Sequence, residues 1–347
     1  MSVRLDADVL VIGGGPVGLA AAIEARLVGL SVIVVEPRTA PIDKACGEGL
    51  MPGAIAALDR LGVDPPGHRI VGISYRNRHQ HAEHEFSAGF GRGVRRTALH
   101  TTMLERALEL GVEQVTGRIG TVTDSPGMVE AAGLRARWLL ACDGLHSTVR
   151  RRTGLQVPAD HSGRLQVPSR YGLRRHFVVP AWTDFVEVYW GRHAEAYVTP
   201  VAEDLVGIAL LGPRSVDYDA ALTEFPELVE HLAGARPAGP VRGAGPLRQR
   251  SVRRTIGNIR LVGDASGYVD ALTGEGLRVG FAQAAAAIAY LDDPAGYERA
   301  WAHVTRDYWL LTTGLLAWAS SPARGAIVPF AHRAPAVFGR VVNAIAG

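Results

Sequence analysis

The chain has 347 residues, of which 47% are hydrophobic and 20% charged, enough apolar material for one large or two medium domains and too much for a disordered chain. A net charge of +3, spread over scattered arginines, argues against nucleic-acid binding. Cys46 and Cys142, the only cysteines, lie far apart, which excludes a disulfide scaffold and leads us to expect a reducing, cytoplasmic setting.

In chain order, Val9 to Ile12 reads as a buried parallel strand, Pro16 to Leu27 as an alanine-rich helix and Ser31 to Val35 as a second buried strand, which together make a βαβ opening. The start lacks a basic region, so no signal peptide is expected. From Ile70 to Phe86 the pattern alternates polar and apolar, as in antiparallel strands with one wet face. His79, His81 and His84 fall here; alternation sends His84 to the face opposite the other two, so no metal site is expected. Thr97 to Leu110 returns to helical spacing, and Trp138 to Cys142 is another buried strand. Between about Asp160 and Gly245, runs such as Phe185 to Trp190, Ala196 to Val198 and Val206 to Leu211 predict a mainly antiparallel sheet. Asn258 to Val262 is a further strand, Val279 to Leu291 a helix, and Tyr297 to Ala346 a helical tail. The weakly polar stretch 281–291 is shorter than the roughly 20 residues a bilayer requires, so no transmembrane segment is expected, while peripheral membrane contact stays open.

Gly13-Gly-Gly15-Pro16-Val17-Gly18 stands between the first strand and helix, with Glu36 ending the next strand. This is the dinucleotide fingerprint: Gly13 permits the turn, Gly15 lets backbone approach a pyrophosphate, Gly18 admits close helix packing, and Glu36 accepts ribose hydroxyls. Pro37 and Arg38 flank that acid. The helix N-terminus adds free N–H groups and positive potential for phosphate.

Three later segments resemble the flavoproteins that include para-hydroxybenzoate hydroxylase and the geranylgeranyl reductases. They are Val94-Arg-Arg96, Leu140-Ala-Cys-Asp143-Gly144, and Arg260-Leu-Val-Gly263-Asp264-Ala265. The resemblance implies noncovalent FAD, with Arg96 near its ribityl and phosphate groups and Asp264 on the ribityl hydroxyls. It implies a para-hydroxybenzoate hydroxylase-like α/β fold: a discontinuous Rossmann-like FAD-binding module (residues 1–69, 93–159 and 250–292), an inserted β-rich substrate module (70–92 and 160–249) and a helical C-terminal tail (293–347). The loop Gly267 to Leu277 is similar to the reductase version. There Gly274, Glu275, Gly276 and Leu277 would face the pyrimidine edge of the flavin, although Ala271 replaces the family's usual proline.

Asp43-Lys44-Ala-Cys46-Gly47-Glu48-Gly49-Leu-Met51-Pro resembles the reductases' Cys-Gly-x-Gly loop, which passes near the flavin ring. Lys44 is the only lysine, Cys46 is a wall, an acid or a packed thiol, and Glu48 is a proton relay or a turn-capping acid. These three are the candidate catalytic residues. At the substrate wall, Glu195-Ala-Tyr197-Val-Thr199-Pro occupies the place of the reductases' Tyr-x-Trp-x-Phe-Pro, making Tyr197 and Thr199 candidate substrate contacts. The halogenase pattern Trp-x-Trp-x-Ile-Pro is absent. Gly243-Ala-Gly245 imitates half a second fingerprint without its third glycine, so any NAD(P)H is expected to dock transiently as reductant. The expected activity is an FAD-dependent oxidoreductase acting on a largely apolar or aromatic small molecule. A monooxygenase hydroxylating a phenolic or polyketide-like compound comes first, a reductase of a carbon–carbon double bond second, and an electron carrier third.

Overall fold

A computed structural model describes residues 4–158 and 170–347; the expected module boundary at 159–160 lies outside them. One sheet runs in the order Thr255–Ile256, Ile259–Leu261, Leu134–Ala141, Ala7–Ile12, Val32–Glu36, Glu113–Thr116, with Met128–Ala131 and Val122–Ser125 continuing as a hairpin off Leu134–Ala141. Its central pairings are parallel, with Val9 opposite Val32 and Trp138. Both faces are covered. Val9, Val11, Val32 and Val34 pack against the helices Pro16–Leu27, Arg96–Glu109 and Gly276–Ala289, while Leu10, Ile12, Ile33 and Val35 pack the other way against Leu139 and Val129. Burial on both sides is why these strands read as unbroken apolar runs.

The second sheet has the order Arg236–Pro237, Arg170–Val178, Leu205–Pro213, Glu195–Ala202, Phe185–Trp190, Gly72–Arg76, His81–Glu85. It is antiparallel as expected except at Gly72–Arg76, which runs parallel to Phe185–Trp190. Only three residues, Ala196 to Val198, read as strand from the sequence, yet the strand spans Glu195–Ala202. Glu195 and Pro200 disguise it, because Glu195 is buried by ion pairing and not by apolarity.

The tail forms the helices Pro294–Ala319, Ile327–Arg333 and Pro335–Ala346. The last two pack on His81–Glu85. His79 lies in the turn before that strand, where its N–H donates to Asn77, so it does not share a strand face with His81 as expected. The ring of His84 lies against Gly339 and the amide of Asn343. Among the described residues, no group of three or more His, Cys, Asp or Glu side chains is arranged to hold a metal ion. Nor is any described helix long and apolar enough to cross a membrane.

Candidate functional site

A cavity of about 800 Å³ is lined from both sheets, and every residue singled out above as a candidate lines it except Gly18 and Glu275. At one end, the strand Ala7–Ile12 delivers the glycine loop to the helix Pro16–Leu27, whose N-cap is Gly15 and whose first turn carries no acid. Gly13 has φ +102°, and a Cβ there would lie 2.5 Å from the carbonyl oxygen of Cys142. A Cβ on Gly18 would run into the Gly13 carbonyl, so Gly18 serves packing. At Gly15 the nearest atom to such a Cβ is the Arg96 guanidinium at 4.0 Å, leaving an open cradle faced by a cation.

Glu36 accepts the N–H of Gly14 at 2.8 Å and three donors from Arg38. Burial alone would push its carboxyl up, but the hydrogen bonds and charge of Arg38, with the Gly14 N–H, hold it below the usual range. All four lone-pair positions are thus filled from the chain, so a ribose would take over those that Arg38, whose side chain is half exposed, now occupies. His100, absent from the sequence reading, is fully buried and bonds the Gly14 carbonyl at 3.0 Å, bracing the same loop.

Farther along, Asp143 caps the short helix Thr148–Arg152 by accepting the N–H groups of Thr148 and Val149 at 2.6 and 3.1 Å. Arg150, not singled out from the sequence, is buried. It donates to the carbonyls of Leu145, Asp264 and Ala265, riveting the Asp-Gly segment to the Gly-Asp segment. The Asp264 side chain faces the cavity and pairs with Lys44 at 3.3 Å.

Residues 6–171 match the FAD binding domain family. A digeranylgeranylglycerophospholipid reductase of Methanopyrus kandleri is 30% identical over 307 residues, covering 79% of this chain and 77% of the relative. This chain belongs to the FAD-dependent oxidoreductase superfamily of para-hydroxybenzoate hydroxylase and the geranylgeranyl reductases. A menaquinone reductase of Mycolicibacterium smegmatis is 28% identical, covering 87% of this chain and 81% of the relative. A rifampicin monooxygenase of Streptomyces venezuelae is 31% identical over 45% of this chain and 35% of its own. In fold, a flavoprotein/dehydrogenase from Cytophaga hutchinsonii matches with a TM-score of 0.82 at 17% identity, over 98% of this chain and 92% of its own.

The residues of this superfamily member suit the cofactor. Among buried polar atoms, the Arg96 Nε and the Asp143 Oδ1 have no partner, one a donor and one an acceptor along the cavity. With the Gly15 cradle and the free Asp264 carboxylate edge they match the donors and acceptors of an ADP-ribityl chain.

The Asp43 to Met51 loop is held from below by a buried cluster. Glu48, at φ +61°, accepts the Arg96 backbone N–H at 2.8 Å and meets His176 Nε2 at 2.6 Å. Arg174 lies 3.6 Å from Glu48, pairs with Asp43, and donates to His176 Nδ1. Since Arg174 can only donate, Nδ1 accepts and Nε2 carries the hydrogen given to Glu48. Gly207 leaves room for this carboxylate, since a Cβ there would lie 3.1 Å from its oxygen. Glu48 therefore anchors the loop to the substrate sheet, while the half-buried Cys46 thiol accepts the Glu48 N–H at 3.4 Å and lines the cavity.

Opposite, the loop Gly267 to Gly276 is clamped by the tail. Tyr308 bonds the backbone of Val269 and Asp270, and Thr312 bonds Thr273. Glu275 is buried against Arg278, and desolvation raises its pKa against that pairing. Beneath lies an ionic chain that the sequence reading missed. Arg324 of the tail pairs with Glu195, Glu195 with Arg170, and Arg170 with Asp270. Burial raises Asp270 to about 6, with Arg170 opposing and Glu195 adding to the rise. A carboxyl raised above its unfolded value costs stability in full above the folded pKa, and the cost fades as pH falls toward about 4. Between pH 7 and 5 this residue should therefore add stability on the order of 1 kcal/mol. Denaturant melts should show that gain in the natural chain and its loss in Asp270→Asn; identical pH slopes would remove Asp270 from the account.

The substrate wall is one row across the second sheet: Tyr75 opposite Val188, Val188 opposite Tyr197, Tyr197 opposite Ala209 and Ala209 opposite Arg174. Tyr197 lines the cavity with its ring, but its hydroxyl donates to the Leu272 carbonyl at 3.0 Å. Thr199 is buried two pairs along, on the same face. Tyr75 and Tyr268 also line this space and were not singled out; aromatic residues in strands and loops carry no local sign of which cavity they face.

Proposed function

We propose that this flavoprotein reduces a carbon–carbon double bond in a largely apolar small molecule. Such a reduction adds hydride to one carbon and a proton to the other. Reduced FAD, when bound, supplies the hydride. A side chain at the cavity can give the proton, and the position of Cys46 carries the reading: its thiol lines the cavity on the anchored loop and accepts the Glu48 N–H. Tyr268 lines the same cavity, and burial keeps its phenol protonated. The Glu48 N–H stays directed at the Cys46 sulfur before and after the proton leaves. Lys44, paired with Asp264, stands on the same loop as a positioning charge.

The two relatives that span most of the chain are both named reductases, which favours this reading over hydroxylation. Monooxygenation is the second reading, favoured by the partial likeness to a rifampicin monooxygenase. NAD(P)H or a carrier protein would deliver the electrons transiently.

The test is single turnover without oxygen. Protein reduced by dithionite is mixed with an isoprenoid quinone or an unsaturated isoprenoid glycerophospholipid. The expected result is flavin reoxidation and a product that stays heavier by two hydrogens after any quinol is reoxidised to the quinone in air, its formation slowed roughly a hundredfold in Cys46→Ala at equal FAD content. An oxygenated product formed only in air with NAD(P)H would overturn the reductase reading in favour of the second.

A further inference from the structure

The apolar lobe above the second sheet is walled by Met51, Ile73, Val186, Val188, Leu211 and Leu247, and the Tyr197 hydroxyl is already spent on Leu272. Tyr75 is the exception in this wall. Its residue is 93% buried, its ring packs against Trp190 at 5.3 Å and Phe338 at 4.9 Å, and no hydrogen bond is made by its hydroxyl among the described residues. Phenylalanine would fill the same aromatic niche. A hydroxyl that meets an apolar cavity without an acceptor leaves a hydrogen bond for a bound oxygen to complete.

We propose that the Tyr75 hydroxyl binds a neutral oxygen of the substrate, a ring carbonyl or hydroxyl, and so selects an oxygenated apolar molecule over a plain hydrocarbon. The proposal rests on the reading of this lobe as the substrate pocket. A neutral acceptor is favoured over an anionic one because Glu195 lies close enough to add to the rise in the Tyr75 pKa, which burial chiefly causes. The same effects keep the phenol protonated and so available as a donor at ordinary pH. The position is also built. Tyr75 is paired on both sides, with Val188 and Ala82, so it is held by strand register and by rings on two other elements rather than by a loop.

The test uses FAD-loaded protein and two probes of nearly the same shape, 2-methyl-1,4-naphthoquinone and 2-methylnaphthalene, with binding read from the perturbed flavin absorbance. Tyr75→Phe should weaken the quinone roughly five- to tenfold, about the worth of one hydrogen bond, and leave the hydrocarbon within about twofold. The carbonyl stretch of the bound quinone should be lowered in the natural protein and return toward its free value in the variant. Equal effects on both probes, or an unchanged quinone affinity with an unshifted carbonyl band, would overturn the role of Tyr75. Failure of both probes to bind the natural protein would instead overturn the placement of the substrate in this lobe, and the proposal with it.

Discussion

Asp264→Ala should purify nearly colourless. Asp264 sits in the 3-10 turn Gly263–Ala265, whose carbonyls are gripped by the buried Arg150, so its side chain is delivered to the cavity on a rigid support. Its carboxylate is suited to accept hydroxyls of the ribityl chain, and charge-assisted bonds of that kind are worth about 1.5–3 kcal/mol each. Losing two of them weakens FAD by roughly two to four orders of magnitude. The ratio of flavin to protein absorbance, followed by titration of the apoprotein with FAD, gives the result. Lys44→Met separates the two members of the ion pair: it leaves the carboxylate in place, so FAD affinity should fall less than about tenfold. Equal loss of FAD in both variants would make Lys44 part of the cofactor grip and withdraw it from the chemistry.

The parts of this site legible in the sequence are those where backbone carries the function. Gly13 and Gly18 announce a turn and a close contact because a Cβ would run into backbone there, Gly15 leaves the cradle between them open, and their spacing against strand and helix is local. The helix Pro16–Leu27 matches its expected bounds for the same reason, with a proline at its first turn and apolar neighbours throughout. What stayed hidden depends on distant partners. Arg150 joins segments more than a hundred residues apart, and Glu48, His176 and Arg174 form one cluster from a loop and a strand. Arg174 and His176 carry no apolar signal in the sequence, yet both side chains are almost wholly buried, because the acids that pair with them arrive from the Asp43 to Met51 loop. Glu195 likewise interrupts an apolar run and hides a strand whose burial depends on Arg170 and Arg324. Pattern reading assigns charge to solvent, and it fails where charges are buried in pairs.

Glu48→Ala should cost the fold about 3–5 kcal/mol, the usual penalty for removing one partner of a buried ion pair. Glu48 is 3% exposed, and three groups converge on its carboxylate: the Arg96 N–H, His176 Nε2 and the Arg174 guanidinium. Alanine leaves all three facing an apolar gap, and the Arg174 cation keeps only Asp43, which is itself shared with Arg242. The backbone adds nothing to this difference, because φ +61° is as strained for glutamate as for alanine. Glu48→Gln retains an acceptor for the Arg96 N–H or for His176 and loses only the charge, so it should fall between the natural chain and alanine. Denaturant unfolding at matched FAD occupancy measures the series. The loop should loosen along with the fold, since the Glu48 carbonyl also receives the Val94 N–H and the Cys46 thiol rests on the Glu48 N–H. A Glu48→Ala protein with natural stability but lost turnover would contradict the anchoring role and make this carboxylate a proton relay; reduced stability with turnover per folded, FAD-loaded molecule within a few fold would leave it as the strut that holds Cys46 at the cavity.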